Sequence, residues 1–355
     1  MLKRVAMAIG DAGGIGPELA ARVLADANAN AGDLIVFGDR RLLDLGARHA
    51  GVDLDLPTVA PSALADLPAT GSVVVDLANL DPKDAPVGAS SAAGGRAALE
   101  NFAAALLTAD AGAADCVFFT PFNKHAMRLA RPSYVDEIGF IDATISASES
   151  GREFNVLDEV WNARVTSHVP LKDVADLLSE ERIYQSIRLT AQVMEGAGYV
   201  RPRIGVAAFN PHAGDGRNFG DEDDDVILPA VLRAQEEQLA VTGPVPADTV
   251  FVRATRGEFD AVLTMFHDQG QIAMKLIGFD RGVTLIANYP FPIVTPAHGS
   301  AYDIAGLGRA DTGATFNAIG LGRKLMALQP RQPDPDKLAA LPGRIEEHLK
   351  ERAVA

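Results

Sequence analysis

An apolar run at 4–9 stops at a glycine turn, Gly10-Asp-Ala-Gly-Gly-Ile-Gly16, and a helix opens directly behind it. Pro17 suits a first helical turn, and Glu18 is favoured at the positive end of a helix dipole. The same unit recurs. Strands are expected at 34–38, 72–76, 116–120, 203–209, 261–266 and 283–286. Helices are expected at 17–28, from 40, and at 92–109, 171–179, 181–196, 221–238, 314–328 and 336–352. Runs at 155–157 and 163–167 suit an antiparallel hairpin. Strands that alternate with helices need crossover connections, so the pattern implies a largely parallel sheet covered by helices on both faces. A length of 355 residues suits two such α/β domains, or one large α/β unit with a shared core.

The formal charge is −15, from 47 acidic and 32 basic residues. Nucleic acid and anionic membranes need clustered Lys and Arg, so neither is an expected partner. An anionic small molecule remains compatible, because a local basic pocket can sit in an acidic protein. The single cysteine, Cys116, excludes an internal disulfide framework and a Cys-rich metal site. The apolar stretch at 5–9 is too short for a signal peptide, and no run approaches the ~20 residues of a membrane span. The expected localisation is cytoplasmic.

The richest chemistry lies in Met265-Phe-His-Asp-Gln-Gly-Gln-Ile-Ala-Met-Lys275. Buried parallel strands deliver functional groups at their carboxyl ends. His267 and Asp268 end a strand here, and Lys275 follows one to two helical turns later. His168, in Val165-Thr-Ser-His-Val-Pro-Leu171, also ends a strand, so the two histidines could supply two metal ligands. The glycine turn at 10–16 admits two readings, a phosphate contact or a tight packing turn; it lacks the Gly-Lys-Ser/Thr of a P-loop. Lys124, in Thr120-Pro-Phe-Asn-Lys124, could hold an anion, move a proton or cap a helix. Asn210-Pro-His-Ala-Gly-Asp-Gly-Arg-Asn-Phe-Gly220 reads as a ligand loop or lid, in which His212 could also serve only as a brace. Asp248 follows the extended segment Gly243-Pro-Val-Pro-Ala247. The segment from His298 to Asp311 is glycine-rich and polar, as nucleotide-contacting loops are.

Together these segments resemble the 4-hydroxythreonine-4-phosphate dehydrogenase family (PdxA-like proteins), in order and spacing, over nearly the whole chain. The resemblance implies an isocitrate/isopropylmalate-dehydrogenase-like two-domain α/β/α fold. The first domain would be 1–125 plus about 300–355, and the second about 126–299. It further implies a homodimer with its active site at the interface, NAD or NADP, and a divalent metal (Zn, Mg, Mn or Co) held by three histidines. Two of these align with His168 and His267. The third falls in a Gly-His-Thr-Glu-Phe motif, where this chain has Asp136-Glu-Ile-Gly-Phe140, so Glu137 becomes the third metal ligand and Asp136 its alternative if the register slips by one. A carboxylate can replace an imidazole and favours harder ions.

Two further departures concern the substrate. Family members acting on phosphorylated substrates hold the phosphate with a Lys, an Asn and an Arg. Lys275 matches the Lys, but Thr284 and Ile293 occupy the other two positions. Asn123 replaces a substrate-contacting His. Losing a fixed-charge donor weakens a phosphate site severely. The expected activity is NAD(P)-dependent oxidation of a secondary alcohol in a small anionic hydroxy acid, possible substrates including a diol or dihydrodiol carboxylate, with decarboxylation where a carboxylate lies β to the new ketone. Asp248, Lys124 and Asp268 are the expected catalytic residues, with Asp248 or Lys124 as base. Asn123, Lys275, Thr284 and Ile293 would meet the substrate, and Gly299, Asp303, Gly306, Gly308 and Asp311 the cofactor. The alternatives are a genuine 4-hydroxythreonine-4-phosphate dehydrogenase and a non-catalytic ligand-binding descendant.

Overall fold

The structure is a computed structural model that describes residues 3–67, 70–329 and 331–350. In chain order its first half comprises β1 (Val5–Ala8), α1 (Gly16–Ala25), β2 (Leu34–Gly38), α2 (Arg40–Ala50), β3 (Thr58–Val59), β4 (Val73–Asp76), α3 (Ala92–Asp110), β5 (Cys116–Phe119), α4 (Lys124–Ala130), α5 (Glu137–Ile145), β6 (Arg152–Val156) and β7 (Trp161–Arg164). The second half comprises α6 (Val174–Leu177), α7 (Glu180–Gly196), β8 (Ile204–Ala207), α8 (Leu228–Glu236), β9 (Val241–Val245), α9 (Ala247–Thr255), β10 (Ala261–Thr264), α10 (His267–Gly278), β11 (Val283–Ala287), β12 (Ile293–Pro296), α11 (Gly313–Leu328) and α12 (Pro335–Lys350). The expected C-terminal helix is α12; residues 351–352 of that expectation lie outside the described residues.

The chain divides into two compact units, residues 1–152 with 289–355, and residues 153–288. In unit 1 the strands lie side by side as β3-β4-β2-β1-β5-β12, paired in parallel. β1, β2, β5 and β12 are buried along their whole length, which requires cover on both faces. Cys116 belongs to this core, and burial pushes its thiol far up, so it behaves as a small apolar side chain. In unit 2, β11, β6, β7, β10, β8 and β9 follow one another. β6 and β7 form the expected hairpin, with Asn155 opposite Asn162. β7, β10, β8 and β9 run parallel.

The expected break after residue 125 is displaced to 152. The reason is an aromatic cluster that fastens α5 to α3. Phe102 stacks on Phe140 at 5.7 Å between ring centroids and meets Phe119 and Phe122 at 4.9 and 5.0 Å. Such pairs contribute about 0.5–1.5 kcal/mol each beyond their burial. At the other end, β12 stands between Pro292 and Pro296, where the sequence suggests only a proline-broken loop. It forms because Val117 N donates to Pro292 O at 3.0 Å and a strand end can spare its own N–H.

Candidate active site

In unit 1 the chain builds outward from β1 through β2 to β4 and β3, then returns to place β5 on the other side of β1. Ligands of open α/β sheets collect at such a switch, outside the carboxyl ends of the strands. The end of β1 carries the glycine turn, β5 carries Thr120 to Lys124, and β12 leads to Ser300. Gly10 N donates to Thr120 Oγ1 at 2.8 Å, Asp11 N to Pro121 O at 2.9 Å, and Ile15 N to Ser300 O at 2.9 Å. A Cβ on Gly10 would lie 2.2 Å from Thr120 O, and one on Gly13 would lie 2.2 Å from Ala89 O. These glycines are there to let main chain pass main chain. The α1 terminus also has its own carboxylate, since Glu18 Oε1 accepts from Ala310 N and Arg22 Nε, both at 3.0 Å. Of the two readings of the turn, this geometry favours packing over phosphate.

Lys124 Nζ lies 2.9 Å from Glu137 Oε2 within unit 1. Helix capping sets both positions. Asn123 Oδ1 accepts from Ala126 N at 2.9 Å to start α4, and Asp136 Oδ1 accepts from Gly139 N at 2.9 Å to start α5. Asn123 and Asp136 therefore spend an oxygen on helix starts. An ammonium has no lone pair, so Lys124 must give up a proton before it can act as a base.

The expected nucleotide segment is clamped to α1. Ala305 and Ala310 pack on Ile15 and Leu19, and Arg22 Nη2 donates to Gly308 O at 2.8 Å. Gly306 and Gly308 take left-handed backbone, φ +76° and +66°, which turns the loop back. Asp311 Oδ1 accepts from Gly313 N at 2.7 Å at the start of α11, while Asp303 is exposed. A Cβ on Gly299 would meet open space. Buried His298 Nε2 and Tyr302 Oη lack hydrogen-bond partners here, as does Asp11 Oδ2. Burial lifts the Asp11 carboxyl above the usual carboxylate range; Tyr302, Gly13 and Ser300 oppose the rise. Tyr302 is thus close enough to act on the Asp11 charge without an aligned bond to it. Unspent buried polar atoms beside an open glycine fit a polar ligand such as a dinucleotide.

In unit 2 the carboxyl ends of β7, β10, β8 and β9 lead in turn to His168, His267, His212 and Asp248. The first two strands are locked in step, because Thr166 donates both its N and Oγ1 to Met265 O, at 3.1 and 2.7 Å. The His168 and His267 rings stand 5.6 Å apart between centroids. His267 Nδ1 lies 2.7 Å from Asp268 Oδ1, which leaves Nε2 as the nitrogen to present to a ligand. Gln269 joins β10 to β8, and Gly270 lets α10 cross the sheet: a Cβ there would lie 2.2 Å from Asn162 Oδ1. Each residue of His-Asp-Gln-Gly thus has its own task.

His212, left open as a mere brace by sequence, belongs to the next strand end. Its φ is +54°, and Ala213, Asp215 and Arg217 share the left-handed region. Non-glycine residues there cost about 1–3 kcal/mol each and concentrate at functional sites. Buried Asp223 anchors the loop, accepting from Phe209 N and Asn210 N at 2.8 and 2.9 Å. The signal in the sequence was a histidine between a strand and a run of glycines. Asp248 is exposed in the first turn of α9, and Lys275 is exposed on α10. Thr284 Oγ1 lies 3.4 Å from Asn155 Nδ2, whereas Ile293 is fully buried in β12.

Among the described residues, no three His, Cys, Asp or Glu side chains are gathered as a metal site. Two imidazoles are in place, and their nitrogen chemistry fits an ion such as Zn²⁺. Glu137, expected as the third ligand, has its carboxylate paired with Lys124 in the other unit. No helix among the described residues is long and apolar enough to cross a membrane.

Comparison with known proteins agrees with this architecture. Residues 30–322 match the family profile described as "Pyridoxal phosphate biosynthetic protein PdxA". A Rhizobium meliloti protein named "Putative 4-hydroxythreonine-4-phosphate dehydrogenase 2" is 55% identical over 322 residues, 90% of this chain and 92% of the relative. The crystal structure of 4-hydroxythreonine-4-phosphate dehydrogenase from Klebsiella pneumoniae superposes with a TM-score of 0.78 at 30% identity, covering 93% of this chain and 99% of that one. A terephthalate 1,2-cis-dihydrodiol dehydrogenase from Burkholderia xenovorans superposes with a TM-score of 0.63 at 28% identity, covering 91% and 98%. The chain belongs to the PdxA family and is an oxidoreductase acting on CH–OH groups.

Proposed function

We propose that this protein is an NAD(P)- and divalent-metal-dependent homodimeric dehydrogenase that oxidises the secondary alcohol of a small hydroxy acid or diol carboxylate lacking a phosphate. The observation that carries the metal-dependent part is the His168–His267 pair at adjacent strand ends, with Asp268 on the far nitrogen of His267. His168 and His267 would hold the metal, with His212 on the neighbouring strand end better suited as third donor than the ion-paired Glu137. When bound, the metal would supply Lewis-acid polarisation of the substrate hydroxyl and the dinucleotide a hydride acceptor.

The chain's own residues supply the rest. Asp268 holds the His267 ring in one orientation. Asp248, an exposed carboxylate in the first turn of α9, is the base for the hydroxyl proton, and Lys124, paired with Glu137, could serve only after giving up a proton. Gly299, Asp303, Gly306, Gly308 and Asp311 form the cofactor loop, with His298 Nε2 as an unspent hydrogen-bonding atom and Tyr302 beside Asp11. In unit 2, Lys275 is offered to the anionic end of the substrate and Thr284 to its polar groups; in unit 1, Asn123 keeps its side-chain amide N–H groups for the substrate.

The case against phosphate is chemical. A phosphate site needs several charge-assisted donors. Ile293 offers none, and Thr284 offers one neutral hydroxyl already near Asn155. The opposite reading, a 4-phosphorylated hydroxy acid, is favoured by the names of the close relatives. NADH or NADPH formation separates them: the protein with Zn²⁺ or Mn²⁺ is offered 4-phosphohydroxy-threonine, unphosphorylated hydroxy acids and dihydrodiol carboxylates. Preference for the phosphorylated compound by kcat/KM would overturn the unphosphorylated assignment. Absence of turnover with every compound, and of NAD(P) binding by calorimetry, would favour a non-catalytic binding protein.

A further inference from the structure

The lost arginine at position 293 has a counterpart elsewhere. Arg164 ends β7, and its side chain is only 2% exposed. A guanidinium is always charged and carries five N–H donors, so burial demands acceptors. Its Nη2 lies 2.7 Å from Glu153 Oε1 on β6, yet none of its three nitrogens has an aligned hydrogen-bond acceptor. Arg164 shares a strand face with Asn162, which underlies Gly270 at the start of α10. On β6 the same face carries Glu153 and Asn155, and Asn155 reaches both Thr284 Oγ1 and Gln271 Nε2, at 3.4 and 2.6 Å. Thr284 is a position the family resemblance gives to the substrate. Two strand spacings, about 10 Å, separate β7 from β11, and an arginine side chain covers most of that.

We infer that Arg164 binds the carboxylate of the substrate through its buried guanidinium nitrogens that lack an aligned acceptor; the inference rests on the dehydrogenase reading above. A planar fork matches a planar carboxylate in bidentate fashion. Glu153 offsets part of the Arg164 charge, which suits a carboxylate group with its single negative charge and disfavours a doubly charged phosphate group.

The test is calorimetric titration of the full-length protein, with Zn²⁺ present, by malonate and by inorganic phosphate. Wild type is expected to bind malonate more tightly than phosphate. Arg164→Lys should weaken malonate about 10-fold and Arg164→Met up to about 100-fold, as loss of charged hydrogen bonds implies. If Arg164→Met unfolds, the double variant Arg164→Met/Glu153→Leu removes both charges and supplies a folded background without the fork. Unchanged malonate affinity in a folded Arg164→Met, or in that double variant, overturns the inference, and so does phosphate binding that exceeds malonate and vanishes in the variants. Failure of the dehydrogenase reading would instead appear as a wild type that binds malonate through Arg164 yet reduces no NAD(P) with any substrate.

Discussion

Gln269 ties two strand ends together: its Nε2 donates to Ala208 O at 2.7 Å while its Oε1 accepts from Met265 N at 2.7 Å. One amide thereby fixes how far the His212 loop stands from His267. Gln269→Ala removes both bonds and leaves partly buried backbone groups unpaired, a cost of about 1–3 kcal/mol. The expected result is a lower urea midpoint at unchanged slope, with a larger fractional loss in kcat than in stability. Activity at wild-type level would refute a positioning role.

Asp268 is 74% exposed, so its value is orientation of His267 rather than stability. Asp268→Asn should leave thermal unfolding within about 0.5 kcal/mol of wild type. Metal affinity should fall about 10- to 100-fold, as loss of a carboxylate behind a ligating histidine does elsewhere. Competition with a chromophoric chelator measures it.

Glu137 and His212 make opposite predictions about the third metal ligand. Glu137→Gln should leave metal content unchanged by elemental analysis, while His212→Ala should lower it together with His168→Ala and His267→Ala. Loss of metal in Glu137→Gln alone would restore the carboxylate as ligand.

Asp11 gives a pH dependence. Its carboxyl is raised from an ordinary value of 3.8 by burial. Below about pH 4 it is protonated in both states and costs nothing. As pH rises, the unfolded chain releases the proton first, so native stability falls through the interval up to the folded value. Asp11→Asn should therefore gain stability relative to wild type as pH goes from 4 to 7, by denaturant unfolding at each pH. A gap that shrinks with rising pH would contradict the assignment.

Strands followed by glycine turns and helices were readable because period and punctuation are local. β1, β2, β5, β8 and β10 all stand where their apolar runs lie. α4 and α5 were hidden, although Asn123 and Asp136 are proper caps, because each helix is short and held by tertiary packing rather than by its own periodicity, α5 by Phe140 on Phe102 and α4 by Ala126 against Gly95. The His168–His267 approach was legible from two strand-end histidines. The pairing of Glu137 with Lys124 was not, since it depends on two helix starts meeting across the fold of unit 1. Arg164 escaped notice because an arginine inside an apolar strand looks like a flaw in the pattern until its burial is seen.

Unit 2 is a single uninterrupted stretch, residues 153–288, whereas unit 1 is assembled from two pieces of chain. His168, Arg164, His212, Asp248, His267, Lys275 and Thr284 all fall within that stretch. A recombination event at its two ends would exchange this whole set at once while leaving the glycine-rich segment from His298 to Asp311 untouched. Chimaeras joined at 152 and 289 would show whether substrate selectivity travels with this one stretch of chain.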